Sequence, residues 1–213
     1  MRTRLLGPAL AGILALPLLG GEKPAPPVFD PSKVQRYRLI EGSCSVGFDG
    51  TSTLDDFSGS TRALTGTLDL RLDALDKDAT ATIRIDATTL DTGNKDRDKE
   101  MHRKHLETAR FPAITWTMEK AEDVVWEVPG RKGRFLMKGS LDLHGVKNAL
   151  GIPVDGEVKD GVLLAKGEIR FKMSSFGIAP PSKFLVVRVG KQVRVWFDIQ
   201  ARLEGDVPPP ATP

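Results

Sequence analysis

The sequence holds only one cysteine, Cys44, among its 213 residues. A single thiol excludes an intramolecular disulfide and any metal site built from several cysteines. The fold must therefore be stabilised by its apolar core. We predict that Cys44 is a small buried residue of that core.

Catalytic motifs are also missing. The sequence contains no HExxH, no Gly-x-Ser-x-Gly and no phosphate-binding loop. His102 and His105 have a spacing that could share a metal, but no third ligand is fixed, and His144 lies far along the chain. We therefore predict a protein that is not an enzyme, with no metal and no cofactor. An enzyme that uses these three histidines is the alternative.

Neither sign of charge is in large excess. The formal net charge is +3, and two of the positive charges, Arg2 and Arg4, lie at the N-terminus. The remaining charges of both signs are interspersed. This pattern does not indicate a nucleic-acid partner.

The one long apolar run, residues 5–19, is too short and too broken by Pro8 and Pro17 to span a bilayer, which takes roughly 20 residues. After two arginines, such a run is typical of a signal peptide. We assign residues 1–21 to it and predict a periplasmic or secreted protein without a stable membrane span. An uncleaved anchor is the alternative.

Proline divides the remaining chain. Residues 22–36 form a Pro-rich linker and residues 205–213 a disordered Pro-rich tail, because proline cannot donate to a sheet ladder. Residues 37–204 are left as one domain.

Within the domain, apolar and polar residues alternate, which predicts strands with one buried face. Alternation is strongest in 64–72, 82–88, 135–143, 163–173 and 193–203, and weaker in 43–48, 113–118, 124–128, 146–154 and 184–189. About ten short strands with glycine-rich turns indicate an all-β antiparallel fold. Closure into a barrel removes the sheet edges, and a two-sheet sandwich is the alternative.

Alternate residues of each strand point to opposite faces, and one of these two sets is predicted to face a lumen that holds a ligand. Its members are Leu68, Leu70, Ile83, Ile85, Met137, Gly139, Leu141, Ile169, Phe171, Val195, Phe197 and Ile199. Gly66, Gly139 and Gly167 fall on this face. They either let strands bend as the barrel closes or leave room for a ligand.

The exception to alternation is 94–106, NKDRDKEMHRKHL. Asn94 is a plausible N-cap, and acidic residues precede basic ones, as a helix dipole favours. Met101 and Leu106 are its only large apolar residues, so we predict one short helix on the surface.

Several motifs together resemble the YceI-like family. They are Leu90-Asp91-Thr92-Gly93, Arg97-Asp98, Phe111-Pro112-x-Ile114-Thr115-Trp116, Gly139-x-Leu141-x-Leu143-His144-Gly145 and Ser175-Phe176-Gly177-Ile178. The resemblance extends over the whole domain.

The resemblance implies an extended lipocalin-like antiparallel β-barrel of about eight to ten strands with one short helix. It also implies export and a polyisoprenoid, quinone-like or other long apolar ligand in the lumen. We predict a carrier or scavenger role for such a protein. Many members have arginine three residues before the Phe-Gly pair, where this chain has Met173.

The resemblance also suggests a role for Arg97 and Asp98. This pair is expected to pin the helix to the barrel, and the alternative is that Arg97 meets an anionic head group. A ligand-free interaction module with a filled core is a further alternative, which the outward parity of Trp196 favours.

Overall fold

The computed structural model describes residues 27–52, 56–179, 182–183 and 187–208. The predicted signal peptide and the last five residues of the predicted tail lie outside these ranges. The strands are β1 (Gln35–Leu39), β2 (Ser45–Ser52), β3 (Phe57–Thr61), β4 (Leu64–Leu70), β5 (Ala79–Asp86), β6 (Ala113–Val128), β7 (Lys132–Leu143), β8 (Val146–Lys159), β9 (Val162–Lys172), β10 (Ser182–Lys183) and β11 (Val187–Asp206).

Eight strands close into an antiparallel barrel in the order β1-β4-β5-β6-β7-β8-β9-β11, with β11 paired back to β1. The predicted all-β barrel is therefore confirmed. On the side away from β9, the long strand β11 pairs with two further strands, because its C-terminal half pairs with β1 and its N-terminal half with β2. The strands β2 and β3 form an added hairpin at that end of the barrel.

Two hairpins of the barrel are closed by two-residue turns. His144 and Gly145 join β7 to β8, and Asp160 and Gly161 join β8 to β9, with positive φ at all four residues. Positive φ at both positions is the type I′ geometry, whose twist matches that of the flanking strands. These turns fix the register of three consecutive strands.

Strand β6 is a single strand where alternation predicts two, 113–118 and 124–128. Its register against β7 shifts between Met118 and Lys120 and again between Glu122 and Val125. Each bulge adds a residue and reverses the inward parity beyond it, so the sequence pattern breaks although the strand continues.

One end of the barrel is filled by side chains. Tyr37, Met137, Ile199 and Leu203 are among the buried residues of this core, and Phe29 of the N-terminal segment packs against it. Cys44 is 1% exposed, which confirms its predicted burial. Burial raises the pKa of this thiol, so it stays protonated at neutral pH.

Gln35 ties the N-terminal segment to the same end. Its side-chain oxygen accepts a hydrogen bond from the backbone N–H of Asp30. Its side-chain nitrogen donates to the Val28 carbonyl and to the Asp206 carboxylate, and all three distances are 2.9 Å. Part of the stretch assigned to the linker thus packs on the barrel, and β1 begins within it.

The three inward glycines lie where neighbouring strands approach closely. A Cβ at Gly66, Gly139 or Gly167 would come within 3.0 Å of a backbone carbonyl oxygen on the next strand. Real Cβ atoms essentially never make such contacts. This geometry supports the mechanical role of these glycines in barrel closure.

The predicted helix is an α-helix, α1 (Lys95–Glu100), that continues as a π-type turn over Met101–His105. Asn94 is its N-cap, because its side chain accepts from the amides of Asp96 and Arg97. Met101 is buried. No helix among the described residues is long and apolar enough to cross a membrane.

Candidate functional site

The other end of the barrel encloses a cavity of about 670 Å³. This volume falls within the roughly 300–1,000 Å³ of sites for small organic ligands. Its lining is mainly aliphatic and aromatic, with α1 and the π-type turn along its rim. The apolar lining residues are Val46, Phe48, Phe57, Ile85, Leu90, Met101, Leu106, Ile114, Leu141, Leu143, Phe171, Met173, Ile178, Val193 and Val195.

Four of the twelve residues assigned to the lumen line this cavity: Ile85, Leu141, Phe171 and Val195. The others lie elsewhere in the barrel. Leu68, Leu70, Ile83, Met137 and Ile199 are buried in the core, Ile169 and Phe197 pack against it, and Gly139 adjoins the backbone of β6. Contact of any of them with a ligand stays a prediction.

Several lining residues were not predicted. Val46 and Phe48 belong to β2, whose alternation was visible but weak, and they face the same side as Val195 of β11. Phe57 begins β3, a strand whose sequence FSGST has too few apolar residues for alternation to be recognised. Leu90 and Ile178 lie between strands, where the alternation of residues cannot predict which side chains face inward.

Thr92 connects the helix to the barrel rim. Asp98 accepts hydrogen bonds from the Thr92 amide (2.9 Å) and hydroxyl (2.6 Å). Partial burial raises the pKa of Asp98, but the two bonds from Thr92, together with smaller contributions from His102 and Asp91, outweigh it and hold this pKa below its ordinary value. The carboxylate is therefore charged at neutral pH.

Arg97 uses the same anchor. Its Nε donates to the Thr92 hydroxyl at 2.9 Å and one Nη donates to the Thr92 carbonyl at 3.0 Å. The guanidinium also lies 5.7 Å from the ring centre of Phe57. Arg97 and Asp98 thus both bind Thr92, an arrangement suited to the predicted pinning of the helix.

Each of the three histidines is hydrogen-bonded to a backbone carbonyl at this end of the barrel. His102 bonds to Leu90 (2.9 Å), His105 to Ala179 (3.0 Å) and His144 to Phe176 (3.2 Å). Within the described ranges, no three His, Cys, Asp or Glu side chains are arranged to hold a metal. The histidines join the loops that frame the cavity.

A second concavity, of about 960 Å³, opens around the outward-facing Trp196 and is also lined by Gly167 and Phe197 of the inward face. The indole covers Gly47 on the neighbouring strand. Charged pairs flank it, including Lys166 with Asp198 at 2.8 Å and Arg194 with Glu168 at 2.5 Å. The outward position predicted for Trp196 places it in this groove.

Comparison with known proteins gives one family. The family model described as a YceI-like domain matches residues 37–201 of the chain. No functionally curated protein matches the chain.

Solved structures share the fold at low sequence identity. BcnA of Burkholderia cenocepacia is 15% identical, with a TM-score of 0.65, over 76% of this chain and 98% of that chain. A polyisoprenoid binding domain from Saccharophagus degradans, implicated in plant cell wall breakdown, is 16% identical, with a TM-score of 0.59, over 80% and 99%. The YceI protein of Campylobacter jejuni is 20% identical, with a TM-score of 0.53, over 68% and 83%.

Proposed function

This chain belongs to the YceI-like domain family, and from that premise we propose that it binds a polyisoprenoid or a similar long apolar molecule in the barrel cavity. The observation that carries the proposal is the division of the barrel into a filled end and a hollow apolar end. Protein interiors are normally packed without large voids. An apolar space of this size is therefore best explained by a guest.

The binding energy would come from transfer of the apolar chain out of water, at about 25 cal/mol per Å² of buried surface. The similarity to a solved polyisoprenoid binding domain supports this ligand class. The lining supports it too, because the charged residues in its described part, Asp96, Arg97 and Glu100, all lie on the helix side of the cavity.

We further propose a carrier or scavenger role in the periplasm or outside the cell, after export by the predicted signal peptide. We favour binding over catalysis, because the YceI-like domain match and the solved polyisoprenoid binding domain support a binding protein.

The test is recovery of the guest. The full chain is purified under native conditions, its mass is measured by native mass spectrometry, and bound compounds are extracted and identified. We expect one long apolar molecule per chain. Val195→Trp, which places a large ring in the cavity, should reduce recovery severalfold.

Val128→Trp is the matched control, because Val128 ends β6, is 47% exposed and is not among the residues that line either concavity. It should retain the guest, and thermal unfolding should show that both variants fold. Equal recovery from the two variants, or no apolar compound from the unmodified protein, would contradict the proposal.

A second candidate function is protein or ligand binding in the outer groove around Trp196. The observation that favours it is the size of that groove, with a partly buried aromatic ring between charged pairs. Trp196→Ala tests it, because loss of binding in this variant with the guest retained would assign function to the outer face.

A further inference from the structure

The barrel wall is incompletely paired between β8 and β9. Pairing of these two strands starts at their hairpin turn and ends at Val154 and Gly167. Beyond that pair, β8 is still paired with β7, and β9 is still paired with β11. We call the unpaired stretch, residues 146–153 of β8 and 168–172 of β9, the β8–β9 seam. Side chains, and not a hydrogen-bonded ladder, close the wall along this seam.

Pro153 explains where the seam begins. Its carbonyl points toward β9, because a Cβ at Gly167 would lie 2.6 Å from that oxygen. In an antiparallel strand, the N–H and the C=O of one residue face the same neighbouring strand. The side of Pro153 that lacks an N–H is therefore the β9 side, and the ladder loses a donor directly beyond its last pair.

One part of the seam is filled by the turn that follows β9. Phe176 of that turn is buried in a cluster with Val146 and Leu150 of β8, and its ring packs edge to face on Phe171 with the centres 5.0 Å apart. The Asn148 side chain also donates to a backbone carbonyl of this turn, at 2.6 Å. The part of the seam next to the last paired residues has no such filling turn.

That part of the seam lies between the internal cavity and the outer groove. Along β11, Val195 lines the cavity, and Phe197 lines the groove. Along β9, Phe171 lines the cavity, and Gly167 lines the groove. Ile169 lies between these two and is only half-buried, although it faces inward. Two residues of a strand span about 7 Å, so one layer of side chains separates the two spaces.

Apolar side chains lie outside the barrel on both sides of the seam. Leu136 of β7 pairs with Pro153 of β8 on one side, and Trp196 of β11 pairs with Glu168 of β9 on the other. All four residues line the outer groove. The Glu168 carboxylate accepts a hydrogen bond from Arg194 at 2.9 Å, which compensates its charge. A hydrocarbon chain that emerges here would therefore meet apolar surface in both directions.

A long guest needs such an outlet. The cavity has the size of a site for a small organic ligand, and the barrel beyond it is filled by the core. The charged residues in the described lining, Asp96, Arg97 and Glu100, lie on the helix side. Because burial of a polar group away from such partners is costly, the polar end of the guest belongs on that side. The apolar tail then points away from the helix, toward the seam.

We propose that the chain of a long guest crosses the wall through the β8–β9 seam and that its far end lies in the outer groove against Trp196. This inference rests on the proposed function, because it places the far end of the same guest. It makes Trp196 a determinant of chain length. Molecules long enough to reach the groove gain a contact that shorter ones lack.

The test compares two alcohols of one chemical series, geranylgeraniol and the longer solanesol. The delipidated full chain is given both at equal concentration as cyclodextrin complexes, and native mass spectrometry measures the ratio of bound solanesol to bound geranylgeraniol. Trp196→Ala should lower this ratio about five- to tenfold, as loss of apolar contact with the indole implies. Because every variant receives the same mixture, the different solubilities of the two alcohols cancel.

Two further variants complete the comparison. Val128→Ala is the matched control, because Val128 is an exposed apolar residue that does not line the groove, and it should leave the ratio unchanged. Leu136→Glu places a carboxylate on the other side of the seam and should also lower the ratio. It keeps the test decisive if Trp196→Ala does not fold, since the indole covers Gly47.

A solanesol analogue with a diazirine at its hydrocarbon end locates that end directly. After irradiation, the labelled peptides should contain Leu136, Pro153 or Trp196. Labelling confined to α1 would mean that the chain leaves past the helix, and labelling confined to the core would mean that it stays inside. Either result overturns the inference.

The outcomes also separate the inference from the proposed function. An unchanged ratio in folded Trp196→Ala or in Leu136→Glu overturns the inference alone, and so does an equal loss of both alcohols. If neither alcohol binds the unmodified protein, the proposed function fails and the inference fails with it.

Discussion

Gly139 of β7 packs against the carbonyl oxygen of Thr117 on β6, leaving no space for a side chain. Gly156 of β8 provides the contrast, because a Cβ there would meet only the edge of the Phe135 ring, at 3.2 Å. Both glycines lie within strands of the barrel, at positions on the inward face.

We therefore predict that Gly139→Ala lowers the free energy of unfolding by about 1–3 kcal/mol, because the backbone of β6 must shift. Gly156→Ala should change it by less than about 1 kcal/mol, since a side chain yields more easily than backbone. Urea unfolding measures both. Equal effects of the two substitutions would show that close strand approach does not explain Gly139.

Alternation predicts which residues of a strand face inward, but not how far along the barrel axis each one lies. Met137 and Leu141 share one face of β7, yet Met137 lies in the core and Leu141 lines the cavity. Height depends on the stagger between strands, and hairpin turns and bulges set that stagger. A single sequence shows the face of a strand and leaves its stagger undetermined.

The turns were a usable signal. Asp160-Gly161 and His144-Gly145 lie between alternating segments, as residues of type I′ hairpins do. They could have fixed the register of β7, β8 and β9. The contact between the helix and Thr92 could not have been predicted, because it depends on how the chain between β5 and α1 is arranged in space.

Tyr37 gives a prediction at high pH, because it is the only tyrosine in the chain. It is 0% exposed, and its hydroxyl has no partner within the described structure. Burial raises its pKa to about 12. Phenolate absorbance should therefore titrate with a midpoint near 12 in the native protein and near 10 in denaturant.

The sign of the effect on stability follows from the same shift. Between about pH 10 and 12 the unfolded chain loses the phenol proton while the folded chain keeps it, so stability falls as pH rises. The loss specific to Tyr37 should approach at most about 1.4 kcal/mol per pH unit. Tyr37→Phe should lack this component, and a native midpoint near 10 would contradict the buried position of the ring.

Asp98 gives a prediction at low pH. Its folded-state pKa is lowered, so the stability it contributes is present above the unfolded-state pKa of about 4 and is lost as pH falls through the folded value. Asp98→Ala should lower the free energy of unfolding by about 1 kcal/mol at neutral pH. The difference from the unmodified protein should vanish in acid.

Asp96→Ala is the control for this variant. Asp96 lies in the same first turn of α1 and shares the helix dipole, but it is exposed. A pH-dependent loss of equal size in both variants would mean that the helix dipole, and not the bonds to Thr92, stabilises the helix.

A crystal structure of the delipidated protein grown with geranylgeraniol tests the account most directly, because it locates the guest. We predict continuous density for one chain inside the barrel, in contact with Ile85, Leu141, Phe171 and Val195. An empty cavity with the chain bound over Trp196 on the outer face, or no bound chain at saturating ligand, would contradict the account.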